Sequence, residues 1–164
     1  MRATLKKIAT MTPFARTAVI ALAAAAATAA AGDDGRRAVQ LLPRYAQECG
    51  ACHVAYPPGL LPQASWQRLM RDLPNHFGSD ASVDAATLKE LDTWLAANAG
   101  GGRRSAEPPP QDRITRSQWF IREHREMAPA LWKSPLVKST ANCAACHTRA
   151  AQGDFDEDTI RIPR

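Results

Sequence analysis

Two short runs, Cys49-Gly50-Ala51-Cys52-His53 and Cys143-Ala144-Ala145-Cys146-His147, hold all four cysteines of the chain and two of its four histidines. A C-x-x-C pair alone can be a thioredoxin-like redox couple or half of a zinc site. A redox couple of that kind follows a strand, and no strand pattern precedes either run. A histidine directly after the second cysteine, twice over, fits a different chemistry. It is the attachment motif of haem c, in which two thiols form thioethers to the porphyrin and the histidine becomes the proximal iron ligand. The chain is therefore expected to carry two covalently bound haem c groups, one on Cys49 and Cys52 with His53, the other on Cys143 and Cys146 with His147. No cysteine is left for a disulfide or a nucleophile.

The sixth iron positions decide what such haems can do. Two histidines remain, His76 and His124, the first 23 residues after His53 and the second 23 residues before His147. Four histidines for two irons fit two bis-histidine sites. The count alone leaves open which distal histidine serves which iron. Downstream of the N-terminal segment the methionines are Met70 and Met127. A methionine ligand would raise the potential, because thioether sulfur favours ferrous iron. Met70, however, shares an apolar helical stripe with Leu69 and Leu73, where it reads as core filler. Met127, one turn after His124, could line the pocket. With both irons six-coordinate, neither site is open to peroxide, nitrite or oxygen, and the expected function is low-potential electron transfer rather than catalysis. The rivals, a dihaem peroxidase or small haem reductase with one open axial site, or a gas sensor, all need a vacant position.

The elements that must place these ligands are helical, and the expected fold is mainly α. Pro43 suits the first turn of a short helix that the first motif closes. Trp66, Leu69, Met70 and Leu73 recur at i, i+3, i+4 and i+7, one apolar face. Pro74 and Asn75 end that helix and leave His76 in a loop. Ser79 to Asp84 offers N-cap residues for a longer helix bearing Leu88, Leu91, Trp94 and Leu95, which stops at Ala99-Gly100. Residues 32–100 form a first haem lobe. Residues 101–112 read as a linker, with glycine at the flexible end and Pro108-Pro109-Pro110 at the stiff end. Residues 113–164 form a second lobe with little regular structure. In it Thr115-Arg116-Ser117-Gln118 matches a capping box before a short helix carrying Phe120, His124 and Met127, and Pro129 and Pro135 break the segment beyond that helix. The tryptophans read as core and haem-pocket aromatics. Arg103, Arg104, Arg113 and Arg116 read mostly as a solvated face.

Residues 1–31 resemble a secretory signal. Arg2, Lys6, Lys7 and Arg16 precede and flank an alanine-rich apolar run, and Ala29-Ala30-Ala31 offers a cleavage site near Ala31. The run is about 15 residues, short for a membrane span. Export suits a protein whose haem is attached on the periplasmic side. The whole chain carries 21 basic and 16 acidic residues, net +5. Four of the basic residues lie in residues 1–31 and none of the acidic ones does, so the remainder is close to neutral, near +1. That balance gives no argument for a nucleic-acid partner.

Taken together, the HFG of His76 to Gly78 and the C-terminal WFIREH…NCAACH…GDF…IRIP (Trp119 to Pro163) resemble the bacterial dihaem cytochrome c family over nearly all of the chain after the signal. The protein is expected to be a monomer, and the resemblance implies a periplasmic electron carrier with a first lobe like a class I cytochrome c. It implies axial pairs His53 with His76 and His124 with His147. It also implies a redox partner that is itself a haem protein, such as a small oxygen-binding monohaem cytochrome c, with a membrane cytochrome b as a possible electron donor.

Overall fold

In the computed structural model, which describes residues 40–164, Pro43 opens helix α1 (Pro43–Gly50) and Ala51 ends it inside the first cysteine motif. The described residues fall within one unit, Gly35–Arg164. The expected signal segment lies outside them. The regular structure of the described residues is helical, with three isolated bridges and no strand among them.

Helix α2 (Gln63–Arg71) buries Trp66 and Met70. It stops at Asp72, because Pro74 cannot continue the helical hydrogen bonding. Leu73–Asn75 then forms a single 3-10 turn that delivers the chain to His76. Helix α3 (Ala85–Asn98) starts where Asp84 caps it, Oδ1 accepting from the backbone N–H groups of Ala86 and Thr87 at 2.9 and 3.0 Å. Its Leu91 and Leu95 are fully buried against Tyr45, Leu61, Trp66 and Met70. Each such side chain contributes about 1.5–3 kcal/mol by leaving water. Met70 is thus part of the core, as its stripe implied.

Residues 101–112 are anchored at Ser105 and at Asp112, and the chain entering them is anchored at Gly100. The Gly100 N–H donates to the Leu61 carbonyl at 2.8 Å, and a Cβ at Gly100 would overlap the Ser105 side chain and the Gly59 carbonyl. Glycine at position 100 permits this close approach. Ser105 is buried, and Asp112 accepts a two-pronged ion pair from Arg68 at 2.6 and 2.8 Å.

Beyond Arg113 regular structure is sparse. Helix α4 (Gln118–Glu123) is capped by Ser117, whose Oγ accepts from the Phe120 N–H at 3.1 Å. The expected capping box at Thr115 is therefore displaced by two residues, because Ile114–Arg116 closes into its own 3-10 turn. Pro129 opens a one-turn helix, α5 (Pro129–Trp132), where a break was expected; proline is at ease at a first helical position. Phe120, Val137 and Ala150 are the buried apolar residues of this segment.

Candidate haem sites

The first site is assembled from the end of α1 and the loop after α2. Cys49 lies in the last turn of α1, and the His53 N–H reaches back to the Cys49 carbonyl at 3.4 Å. His53 Nδ1 meets the Val54 carbonyl at 2.7 Å. An N–H must donate to that oxygen, so the other ring nitrogen, Nε2, keeps its lone pair for a metal. The opposing ring comes from a tight turn, His76-Phe77-Gly78-Ser79. Phe77 and Gly78 both have positive φ, 52° and 98°, and the Ser79 N–H donates to the His76 carbonyl at 3.1 Å. Those values fit a type I′ turn, which glycine and asparagine favour. Phenylalanine at its first central position costs roughly 1–2 kcal/mol. The surroundings that hold it there are Arg113, whose guanidinium lies 4.2 Å over the Phe77 ring, and His76 itself, at 4.8 Å. The turn presents the His76 ring to His53 with centroids 6.2 Å apart and planes 21° apart.

The second site is built from α4 and the second motif. His124 follows the last residue of α4. Its Nδ1 meets the Phe120 carbonyl at 2.9 Å, and its ring stacks on Phe120 at 4.0 Å and 21°. Trp132 lies 5.8 Å away on another side. Cys143–Ala145 forms a 3-10 turn, and the His147 N–H donates to the Cys143 carbonyl at 2.9 Å. The C-terminal tail closes over this loop: the Arg161 N–H donates to the Cys146 carbonyl at 2.8 Å, and Phe155 lies 5.2 Å from His147. His124 and His147 face each other with centroids again 6.2 Å apart, their planes at 66°.

The two equal separations test whether the residues fit the implied group. A metal held between two imidazole nitrogens at about 2.0–2.1 Å each sets the ring centres about 6.3 Å apart. Both pairs meet that span. In each pair one ring is anchored through Nδ1, His53 and His124, while the Nδ1 of its opposite, His76 and His147, is buried with no hydrogen-bond partner. Burial first, and the facing histidine second, hold His76 and His147 below the ordinary imidazole range, with Arg113 adding to the effect at His76. Both therefore favour the neutral form that can ligate iron.

The cysteines are unpaired. Burial pushes the Cys49 and Cys143 thiols up to about 11. A catalytic or redox thiol is tuned in the opposite direction, which argues against the thioredoxin-like alternative. Among the described residues no three His, Cys, Asp or Glu side chains converge as a metal site, so the zinc alternative lacks a donor set.

The family model for dihaem cytochrome c matches residues 45–155. This chain belongs to the dihaem cytochrome c family. Among solved structures, the dihaem cytochrome c of Rhodobacter sphaeroides is 46% identical over 70% of this chain and 96% of its own, with a TM-score of 0.60. That of Shewanella baltica is 37% identical over 74% of this chain and 92% of its own, with a TM-score of 0.64. No curated protein sequence matches the chain. As a family member this dihaem cytochrome carries two haem c groups and is an electron-transfer protein. The resemblance drawn from its motifs is borne out, as is the mainly helical fold. Among the described residues no helix is long and apolar enough to cross a membrane.

Two residues at these sites left no mark in the sequence pattern. Tyr56 stacks on His53 at 4.7 Å and 17°, and Tyr45, buried in the core, donates to the Tyr56 carbonyl at 2.8 Å. Neither belongs to a motif or to a periodic stripe. Of the tryptophans, Trp66 is core, its Nε1 donating to the Pro58 carbonyl at 2.7 Å. Trp94 packs on Tyr45, Trp132 borders His124, and Trp119 lies beneath Arg104.

Proposed function

We propose that this dihaem cytochrome is an exported, periplasmic carrier of electrons at low potential, acting as a monomer. Cys49 and Cys52 bind one haem and Cys143 and Cys146 the other. His53 and His76 would hold the first iron, His124 and His147 the second. The reading is carried by the matched 6.2 Å separation of both histidine pairs.

Haem c, when bound, supplies a one-electron ferric–ferrous couple. The chain does the rest. Two imidazoles facing each other at each site would both hold the iron and leave no position for a substrate. Nδ1–H donation from His53 and His124 to carbonyls makes those rings better donors, which favours ferric iron and lowers the potential. The acceptor is proposed to be another haem protein, of the small oxygen-binding monohaem kind, and the donor a membrane cytochrome b. A charge near +1 after removal of residues 1–31 makes long-range steering modest, so encounter is brief and only mildly salt-dependent.

Two measurements on the intact holoprotein test this. Low-temperature EPR of the ferric protein is expected to show two low-spin bis-imidazole signals of different anisotropy, since one pair of planes is near parallel and the other steeply crossed. Carbon monoxide added to the reduced protein is expected to leave both haem spectra unchanged. A high-spin signal together with stoichiometric carbon monoxide binding overturns the carrier reading and restores an enzyme with one open site.

A further inference from the structure

Tyr56 touches both haem-binding loops. Its ring lies flat against His53, with centroids 4.7 Å and planes 17° apart. Its hydroxyl donates to the carbonyl of Ala141 at 2.9 Å, a residue 85 positions along the chain and two before Cys143. Both ends of this contact are held from behind. The Tyr56 carbonyl accepts the Tyr45 hydroxyl at 2.8 Å, and Tyr45 is buried in the core. On the far side, Asn142 Nδ2 donates to the Val137 carbonyl at 3.0 Å, and Val137 is fully buried. A phenol is suited to such a double role, with a flat face for stacking and a polar tip for a hydrogen bond.

We propose that Tyr56 is the positioning residue that joins the two haem sites, fixing the His53 ring plane with its face and the Cys143 loop with its hydroxyl, so that electrons cross between the sites along a fixed contact. The route from the His53 ring runs through one stacking contact and one hydrogen bond into the peptide chain that ends at Cys143. Electron tunnelling weakens steeply across gaps and is sustained by bonds and hydrogen bonds. Losing the hydroxyl therefore opens a gap at the midpoint of the route. The proposal rests on His53 being an axial ligand and on electrons passing between the two haems.

The test uses the full holoprotein and its Tyr56→Phe and Tyr56→Leu variants. A brief photoreduction delivers less than one electron per molecule, and its redistribution between the haems is followed spectrally. Tyr56→Phe keeps the stacked ring, so the EPR signal of the His53 haem is expected to stay while internal transfer slows severalfold. Tyr56→Leu also removes the ring face and is expected to move that signal as well. Replacement by p-aminophenylalanine, which keeps a donor at the ring tip, is expected to restore the original rate. An unchanged rate in Tyr56→Phe overturns the proposal. So does failure of the p-amino variant to restore a lost rate, which covers the case of variants that incorporate haem poorly. Failure of the underlying ligation is seen separately, in the unsubstituted protein, as the absence of a bis-imidazole signal.

Discussion

Phe120 offers a sharp test of how α4 holds His124. Only 8% of the residue is exposed, and its ring forms the platform beneath the imidazole at 4.0 Å. Truncating a buried phenylalanine to alanine costs about 3–5 kcal/mol, transfer and cavity together. The stacked pair accounts for about 0.5–1.5 kcal/mol beyond burial. Trp132 beside it is only half-buried and free to relax into the space, so the lower end, about 3 kcal/mol, is expected for Phe120→Ala. In a domain of this size that lowers the melting temperature by about 10 °C. Phe120→Leu keeps apolar bulk and costs less than about 1.5 kcal/mol, yet removes the platform just as completely. The assay is a thermal melt of the ferric holoprotein followed by circular dichroism, paired with EPR. Both variants are expected to shift the signal of the steeply crossed pair and to leave the near-parallel pair unchanged, while their melting temperatures differ widely. Variants that shift both signals alike, or neither, refute the claim that Phe120 sets the His124 plane.

His76→Met and His124→Met are each expected to raise the potential of one haem only, because thioether replaces imidazole; redox titration in which both haems or neither respond contradicts the proposed pairing. Acidification is expected to destabilise the protein. Protons compete with iron for histidine, so as pH falls the proposed ligands His76, His124 and His147 are drawn away from iron and stability drops with them. Denaturant melts from about pH 8 to about pH 4 check this, and a flat profile counts against it. Ser117→Ala removes the cap of α4 and is expected to cost about 1 kcal/mol, measured as a shift in denaturant midpoint, without changing the signal of the His53–His76 site.

What the amino-acid sequence determined by itself was whatever short-range chemistry dictates. Two complete cysteine–histidine motifs name the cofactor because thioether formation and proximal ligation need closely spaced thiols and an adjacent imidazole. Helix ends were legible where a single side chain or ring decides them, as at Pro43, at Pro74 and at Asp84. The four histidines stood out in the sequence as a set, and the structure brings their rings together as two facing pairs. Even among local features there were misreadings. The cap of α4 sits on Ser117 instead of Thr115, because the turn before it consumes the earlier residues. Gly100 reads as a helix stop, but nothing local reveals that its missing side chain also lets Ser105 and Gly59 approach. The rest depends on contacts between residues far apart in the chain, which no window of sequence reports. The resemblance implied the pairs His53 with His76 and His124 with His147, but only folding sets one pair at 21° and the other at 66°. One ring of each pair has a stacked neighbour, Tyr56 against His53 and Phe120 against His124. The tie from Tyr56 to Ala141 spans 85 residues, and it exists only because the core around Tyr45 and the loop around Val137 hold its two ends within hydrogen-bond reach.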